Sequence, residues 1–196
     1  ERGILCVDCR PLRGRHRVGV LQQWRKQQND EQALTAIMHH FYADLYNYGA
    51  RFAADDGLVR DCIQEVFISL WQRPENVTAI LSPKYYLLRA VKNKVLKSLH
   101  KNKTRADGMY MHGDEYDFFL EFSVEKFIIE KQVSDEKAAA LRRTLERLSK
   151  RQQEVIYLKF YQHLDHAQIA ELMNISRQSV YNLIHESILK LRSLWK

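Results

Sequence analysis

The sequence predicts an all-α protein of two small helical domains joined by a flexible linker, and three observations support this expectation. Only seven Gly and three Pro occur among 196 residues, while residue types that favour helices are abundant. Apolar residues recur at three- and four-residue steps along most of the chain. The segment 102–123 interrupts this pattern for longer than a connection inside a compact domain normally does, which indicates a linker.

The sequence divides into four segments, one of which is the linker, and its charge is unevenly distributed. Residues 1–17 form a basic arm that is expected to be disordered, and 18–101 form the N-terminal domain. Residues 102–123 are the acidic linker, and 124–196 form the C-terminal domain. The net charge of +7 is concentrated at the two ends, with +5 over 1–27 and +5 over 141–196. A basic C-terminal block suits a polyanionic partner.

The end of the chain has the pattern of a helix-turn-helix. Asp165 is a suitable N-cap, and Gln168 gives the capping-box spacing. Asn174 lies where the first helix must end, since Asn tolerates the left-handed conformation, and Ser176 caps the second helix. A buried stripe is expected along the second helix at Val180, Leu183, Ile184, Ile188 and Leu191. The sequence therefore predicts a C-terminal domain that contains a helix-turn-helix.

The other face of the second helix carries side chains that can read base edges. Arg177 and Gln178 are the leading candidates for base contacts, because both present paired hydrogen-bonding atoms in the first helical turn. Further contacts to bases or phosphates are expected from Tyr181, Asn182, His185 and Lys190. An antiparallel helical hairpin with a polar outer face would give the same local pattern, so the rest of the chain must decide.

A basic helix is predicted after Ser82 and Pro83, a favourable pair at a helix start. No acid occurs between Glu75 and Asp107, whereas that interval contains eight Lys and Arg. Cations along a helix suit a phosphate backbone, and tyrosines near its start can stack on unpaired bases. The candidate strand contacts are Tyr85, Arg89, Lys92, Asn93 and Lys97. A solvated basic face with the tyrosines in the core is the structural alternative.

The preceding helix, from about Leu58 to Gln72, combines an apolar and a polar face. Its expected core residues are Leu58, Cys62, Val66, Phe67, Leu70 and Trp71. Asp61, Gln64 and Glu65 share the polar face, at i, i+3 and i+4. The face is either simply solvated or a docking patch for a basic partner helix, and spacing alone does not choose.

The cysteines and the hydropathy exclude several classes of protein. Cys6 and Cys9 form a C-x-x-C with only His16 nearby as a further ligand, so we expect reduced thiols, no metal site and no cofactor. No run approaches the roughly 20 apolar residues of a membrane span, and no signal-peptide pattern is present. These features predict a cytoplasmic protein without membrane insertion.

Two blocks, in this order, resemble the sigma-70 family of bacterial RNA polymerase sigma factors, in its small extracytoplasmic-function (ECF) group. Asp61 to Phe67, followed by Leu70 and Trp71, is similar to the D-x-x-Q-E-V-F…L-W signature of the region-two helix. The stretch from Pro83 to Asn93 resembles the promoter-melting helix. Residues 148–180 resemble the region-four helix-turn-helix. Four residues depart from the family pattern. Tyr86 stands where the family usually has Trp, and Ser149 where Pro is common. Asn174 stands where the turn usually has Gly, and Lys97 where an acid is frequent.

The resemblance implies a transcription initiation factor without enzymatic activity. It implies that 18–101 bind core RNA polymerase at its clamp through Asp61, Gln64 and Glu65, and melt the minus-ten element. Loop 72–82 would hold a flipped base of the non-template strand, beside the contacts from the basic helix. Region four would bind duplex promoter DNA at the minus-thirty-five element, near the polymerase flap. An anti-sigma factor is a further partner that the resemblance implies.

Three other functions fit parts of the sequence. A stand-alone helix-turn-helix regulator would bind duplex DNA without polymerase. A nucleic-acid enzyme such as a resolvase would need a nucleophile or a carboxylate metal site, but Asp55, Asp56 and Asp61 suit capping and docking better. A purely interacting helical protein would leave the basic stretch 84–105 unexplained.

Overall fold

The computed structural model describes residues 31–72, 82–107, 116–118 and 135–194, and none of these residues lies in a β-strand. The expected all-α class is therefore confirmed. The structure does not describe the arm 1–17 with Cys6 and Cys9, the first part of the N-terminal domain up to residue 30, or nearly all of loop 72–82. Most of the linker also lies outside the described residues, apart from its beginning and residues 116–118.

The described chain contains seven α-helices and one π-helix in two groups. The N-terminal group is α1 (Glu31–Gly49), α2 (Asp56–Gln72) and α3 (Pro83–Asp107). The C-terminal group is α4 (Asp135–Glu146), α5 (Lys150–Ile156), the π-helix (Tyr157–Tyr161), α6 (His166–Met173) and α7 (Arg177–Leu194). Helix α3 ends six residues later than the expected end of the N-terminal domain at residue 101, and so extends into the segment assigned to the linker.

The N-terminal helices pack on one another around a shared apolar core. The buried side chains recur at helical spacing, and they include Leu45 in α1, Phe67 in α2 and Val91 in α3. Asp55 caps α2, because its Oδ1 accepts hydrogen bonds from the backbone N–H groups of Gly57 and Leu58 at 2.9 and 3.1 Å. Its acidic side chain therefore serves a structural purpose at the helix start.

A glycine at residue 49 allows a close approach between helices of this bundle. A Cβ atom at Gly49 would lie 2.8 Å from a methyl carbon of Val59 and 3.4 Å from one of Val91. The first distance is shorter than van der Waals contact allows. The end of α1 can therefore reach both neighbouring helices only because residue 49 has no side chain.

A capping box begins the second helix of the C-terminal group, as the spacing of Ser149 and Gln152 in the sequence predicts. Ser149 and Gln152 form a complete capping box at the start of α5, and Gln152 Oε1 accepts from the Ser149 N–H at 3.2 Å. The sequence predicts that this helix continues through Phe160, but it changes at Tyr157 into a π-helix. There the Gln162 N–H donates to the Tyr157 carbonyl, five residues back, at 3.1 Å.

The two helical groups share one continuous core. Tyr48, at the end of α1, stacks on Tyr157 of the π-helix at 5.8 Å, and Phe52, three residues beyond α1, packs against Tyr48. Phe118 is fully buried between them, with its ring 5.2 Å from Phe52 and 5.9 Å from Tyr157. This part of the linker is therefore an integral part of the packing between the domains, which the sequence pattern did not indicate.

Candidate nucleic-acid interface

The turn between α6 and α7 is fixed by local polar contacts. Asp165 and Gln168 form the expected capping box, with the Gln168 N–H 2.8 Å from Asp165 Oδ1. Asn174 ends α6 in the left-handed conformation at φ 54° and ψ 47°. The Ser176 hydroxyl accepts from the Ser179 N–H at 3.0 Å and so caps α7. Each of these local predictions is confirmed.

Helix α7 presents all six predicted DNA-contacting residues to solvent, namely Arg177, Gln178, Tyr181, Asn182, His185 and Lys190. Four of them are in contact with neighbouring side chains. Gln178 donates to the side-chain oxygen of Asn182 at 3.1 Å, and the Tyr181 ring stacks on His166 of α6 at 4.2 Å. Lys190 donates to Gln152 at 3.1 Å. The outer face is therefore a partly ordered set of hydrogen-bonding groups.

The opposite face of α7 holds the helix against its own domain. Val180 is fully buried, while Leu183, Ile184, Ile188 and Leu191 are half-buried rather than enclosed. Ser187, which the apolar pattern does not identify, is fully buried and donates to the Leu183 carbonyl at 2.6 Å. The small, self-satisfied Ser187 allows α7 to lie close to the helices beneath it.

Four of the five predicted strand contacts on α3 remain accessible to some degree. Arg89, Asn93 and Lys97 are exposed, and Tyr85 is half-buried. The Tyr85 hydroxyl donates to Glu171 of α6 at 2.5 Å, and Arg89 lies 3.8 Å from the same carboxylate. Burial, followed by the hydrogen bond to Glu171, raises the pKa of Tyr85.

Lys92 is the exception, and its predicted contact with DNA does not fit its position in this conformation. It is only 4 % exposed, and its Nζ lies 2.8 Å from Glu154 of α5. The basic pattern of α3 suggested a solvated cation, but the chain folds back so that an acid of the other domain covers this residue. A role for Lys92 on a DNA strand therefore requires the domains to separate.

Glu154 is the centre of a buried polar cluster that no part of the sequence pattern identified. Its carboxylate is fully buried and accepts hydrogen bonds from Lys92, from the Tyr48 hydroxyl at 2.7 Å and from the Tyr116 hydroxyl. Lys92 also donates to Tyr116 at 2.8 Å. Burial and then the Glu154 charge raise the pKa of Tyr48 well above its ordinary value. One acid thus joins α1, α3, α5 and the linker.

The predicted polymerase-binding face lies on α2, away from this cluster. Asp61, Gln64 and Glu65 are all exposed, and Glu65 forms an ion pair with Lys94 of α3. Trp71 was expected in the core but is 39 % exposed, and Ile68 beside it is also exposed. The apolar periodicity places Trp71 inside because a large ring at a stripe position is normally covered. Here the stripe reaches the last turn of α2, which ends at Gln72.

No helix of the described ranges is both long and apolar enough to cross a membrane. Within 31–72, 82–107, 116–118 and 135–194, no group of three His, Cys, Asp or Glu side chains is arranged to hold a metal ion. Cys62 is buried with a free thiol, and burial raises its pKa.

Comparison with known proteins identifies both domains. The family model for sigma-70 region 2 matches residues 37–105, and the model for sigma-70 region 4 matches residues 138–191. Together they span more than half of the chain, in the order expected for one protein. Comparison with curated protein sequences gives no match.

Two solved structures share the fold at low sequence identity. The sigma factor RpoE of Bartonella quintana, in complex with the anti-sigma factor NepR, is 13 % identical with a TM-score of 0.54. The match covers 82 % of this chain and 94 % of RpoE. CnrH, in complex with the cytosolic domain of CnrY, is 16 % identical with a TM-score of 0.52, covering 89 % of this chain and 94 % of CnrH. The two family models together show that the chain belongs to the sigma-70 family of RNA polymerase sigma factors.

Proposed function

We propose that this sigma factor binds core RNA polymerase and directs it to specific promoters through two separate DNA contacts. Helix α7 reads the minus-thirty-five element as duplex, and α3 holds the melted minus-ten element. The polymerase performs the chemistry, so the chain itself needs no catalytic site. The single observation that best supports this function is the exposed polar face of α7 behind a firmly capped turn.

The first contact rests on the geometry of the helix-turn-helix. Arg177 and Gln178 occupy the first turn of α7, the part of a recognition helix that approaches base edges. A bidentate contact from Arg to guanine or from Gln to adenine gives about 1–3 kcal/mol of discrimination. Tyr181, Asn182 and His185 lie one or two turns further along and reach neighbouring bases or phosphates, and Lys190 adds a phosphate contact.

The second contact rests on the charge of α3. Arg89, Asn93 and Lys97 lie at four-residue steps on its exposed side, where they can follow one strand. Tyr85 at the start of the helix can stack on an unpaired base, a contact of about 1–3 kcal/mol. Flipping a base costs a few kcal/mol, which these contacts must offset. Lys92 joins them once it is released from Glu154.

Polymerase docking is assigned to the exposed face of α2. Asp61, Gln64 and Glu65 provide acidic and polar groups, and the exposed rings and methyls of Trp71 and Ile68 provide apolar area beside them. A mixed surface of this kind is typical of protein interfaces, where aromatic residues are enriched. The fold is also that of RpoE bound to an anti-sigma factor. We therefore propose an anti-sigma factor as a second protein partner, in the cytoplasm where polymerase acts.

The test is transcription reconstituted with core polymerase on a promoter library. We expect the full chain to select promoters, and Arg177→Ala to lower transcription from the selected promoters about tenfold or more while leaving polymerase binding unchanged. Arg142→Ala is the matched control, because Arg142 is also an exposed cation but lies on α4, outside the helix-turn-helix. Equal losses for both variants would contradict base reading by α7. Duplex binding without any transcription would favour the stand-alone regulator.

A further inference from the structure

A histidine outside the recognition helix contacts one of the predicted base readers. The His166 ring, on α6, lies nearly parallel to the Tyr181 ring of α7, with 4.2 Å between the ring centroids and an interplanar angle of 18°. The two rings therefore stack across the helix-turn-helix. The pattern of α7 identifies Tyr181 as an exposed side chain, but it gives no sign of His166, because the histidine lies on the other helix of the motif.

The backbone on both sides of this ring pair is held in place. His166 is the first residue of α6 and directly follows Asp165, whose side chain accepts from the Gln168 N–H in a complete capping box. Tyr181 directly follows Val180, which is fully buried. A shift of either ring would break the cap or uncover the core. The stack is therefore a fixed feature of the motif.

The stack leaves the Tyr181 ring open on its other face. Tyr181 is still 53 % exposed, although His166 covers one face of its ring. An exposed side chain normally samples several rotamers, and DNA binding must then immobilise it. A ring that is already held against His166 loses less freedom when it meets DNA. This preorganisation favours the base that fits the ring by about two- to fivefold.

The open face of the ring is apolar, unlike the side chains beside it. Gln178 and Asn182 flank Tyr181 on the exposed side of α7, and their amides are joined by a hydrogen bond of 3.1 Å. Amides read the hydrogen-bonding groups of base edges, whereas a ring face offers an apolar contact. The apolar group that base edges present in the major groove is the C5 methyl of thymine.

We propose that His166 is a positioning residue for promoter choice, because its ring holds Tyr181 so that the open face packs on the methyl group of one thymine in the minus-thirty-five element. The inference rests on the proposed reading of that element by α7. His166 contacts no base in this arrangement and acts only through Tyr181. A stack that merely stabilised the turn would affect all promoters alike, whereas a positioning role affects one base pair.

The test is transcription by the full chain with core polymerase from a promoter library that is randomised in the minus-thirty-five element. Tyr181→Ala identifies the position at which Tyr181 acts, as the one position where a preference for thymine is lost. We expect His166→Ala to lower the preference at that same position about two- to fivefold and to leave the other positions unchanged. His166→Phe keeps an aromatic partner for Tyr181 and should retain the preference.

His163→Asn is the matched control. His163 is an exposed histidine of the same domain that precedes α6, and Asn tolerates its positive φ of 55°. This variant should keep every base preference of the wild type. His166→Gln, which lacks a ring but keeps a polar side chain, replaces His166→Ala if that variant does not fold.

Deoxyuridine in place of the identified thymine tests the methyl contact directly. Its loss should lower initiation by the wild-type chain and by His166→Phe, and it should have little effect on Tyr181→Ala. A thymine preference that survives in folded His166→Ala would overturn the inference. So would an equal loss on every promoter, which indicates a phosphate contact or lost stability, and so would a wild-type chain that does not distinguish thymine from deoxyuridine.

The two proposals fail in different ways. A wild-type chain that gives no promoter-specific transcription removes the proposed function itself. Normal promoter selection, combined with base preferences that neither Tyr181→Ala nor His166→Ala alters, removes only the role of the ring pair and leaves the sigma function intact.

Discussion

At the scale of single residues, two lysines of α3 form ion pairs that differ in their exposure to solvent. Lys94 pairs with Glu65 at a surface where both side chains are well exposed, whereas Lys92 and Glu154 are almost completely enclosed. Surface pairs contribute about 0–1 kcal/mol, but removal of one partner from a buried pair costs about 3–5 kcal/mol. The two positions therefore give a direct comparison within one helix.

We expect Lys92→Ala to lower the free energy of unfolding by about 3 kcal/mol, at the low end of that range, because domain separation would let water reach Glu154. Lys94→Ala should cost no more than about 1 kcal/mol. Urea denaturation followed by circular dichroism measures both. A double variant, Lys92→Met with Glu154→Met, should recover only part of the loss, because the buried Tyr48 hydroxyl then lacks its acceptor. Equal losses for Lys92→Ala and Lys94→Ala would contradict a buried pair.

The sequence predicts single residues well where their partners are near along the chain. Asp165, Asn174 and Ser149 act as expected because a cap needs only the backbone within three or four positions. Glu154 is different, since its partner Lys92 is 62 residues away and Tyr48 is 106 residues away. A cation in a basic run gives no local sign that an acid of another domain will cover it.

At the scale of elements, the π-helix is the main departure from the expected pattern. Tyr157 and Tyr161 stack at 5.5 Å, and Tyr157 also stacks on Tyr48 of the N-terminal domain. Residues four apart share a face in an ordinary α-helix as well, so the sequence carries no signal for the wider turn. The tyrosine stack, defined as Tyr48, Tyr157 and Tyr161, becomes visible only when the domains are packed together.

The tyrosine stack predicts a loss of stability at high pH. Burial raises the pKa of Tyr157, raises that of Tyr161 to about 12 and raises that of Tyr48 well above normal. Above about pH 10 the unfolded chain releases these protons while the folded chain keeps them, so stability is complete below that pH and falls as the pH rises. The urea midpoint should therefore be lower at about pH 11 than at about pH 9.

Tyr161→Phe tests whether the buried phenols cause this loss of stability at high pH. The variant lacks one of the three titrating phenols and should lose stability less steeply between the two pH values. Tyr42→Phe is the control, because Tyr42 is exposed and lies outside the tyrosine stack. If the two variants and the wild type declined equally, the buried phenols would not be the cause.

At the scale of the whole molecule, the order of the two domains follows from local patterns, but their contact does not. The helix-turn-helix and the helix α2 each have a periodicity that identifies them separately. The packing between domains depends on Tyr116 and Phe118, which lie in an acidic segment without any period. The sequence does not show that these two residues are buried between the domains, because apolar residues do not recur at a regular spacing around them.

Phe118 should therefore contribute to the stability of both domains, although it lies in the linker between them. Its ring is fully buried against Tyr48 and Phe52 on one side and Tyr157 on the other. Replacement of a buried Phe by Ala costs about 3–5 kcal/mol through lost contacts and the cavity left behind. We expect Phe118→Ala to accelerate amide hydrogen exchange, measured by mass spectrometry, in the end of α1 and in the π-helix together.

Ile37→Ala is the matched control for this coupling. Ile37 is also buried, but it lies eleven residues before Tyr48 on α1, roughly 16 Å along the helix axis. Its cavity should accelerate exchange in the N-terminal helices and leave the π-helix protected. If Phe118→Ala also affected only one domain, the linker would not join the two cores. If Phe118→Ala accelerates exchange in both domains and Ile37→Ala does not, the Phe118 ring joins the two cores through apolar contacts, as Glu154 joins them through polar ones.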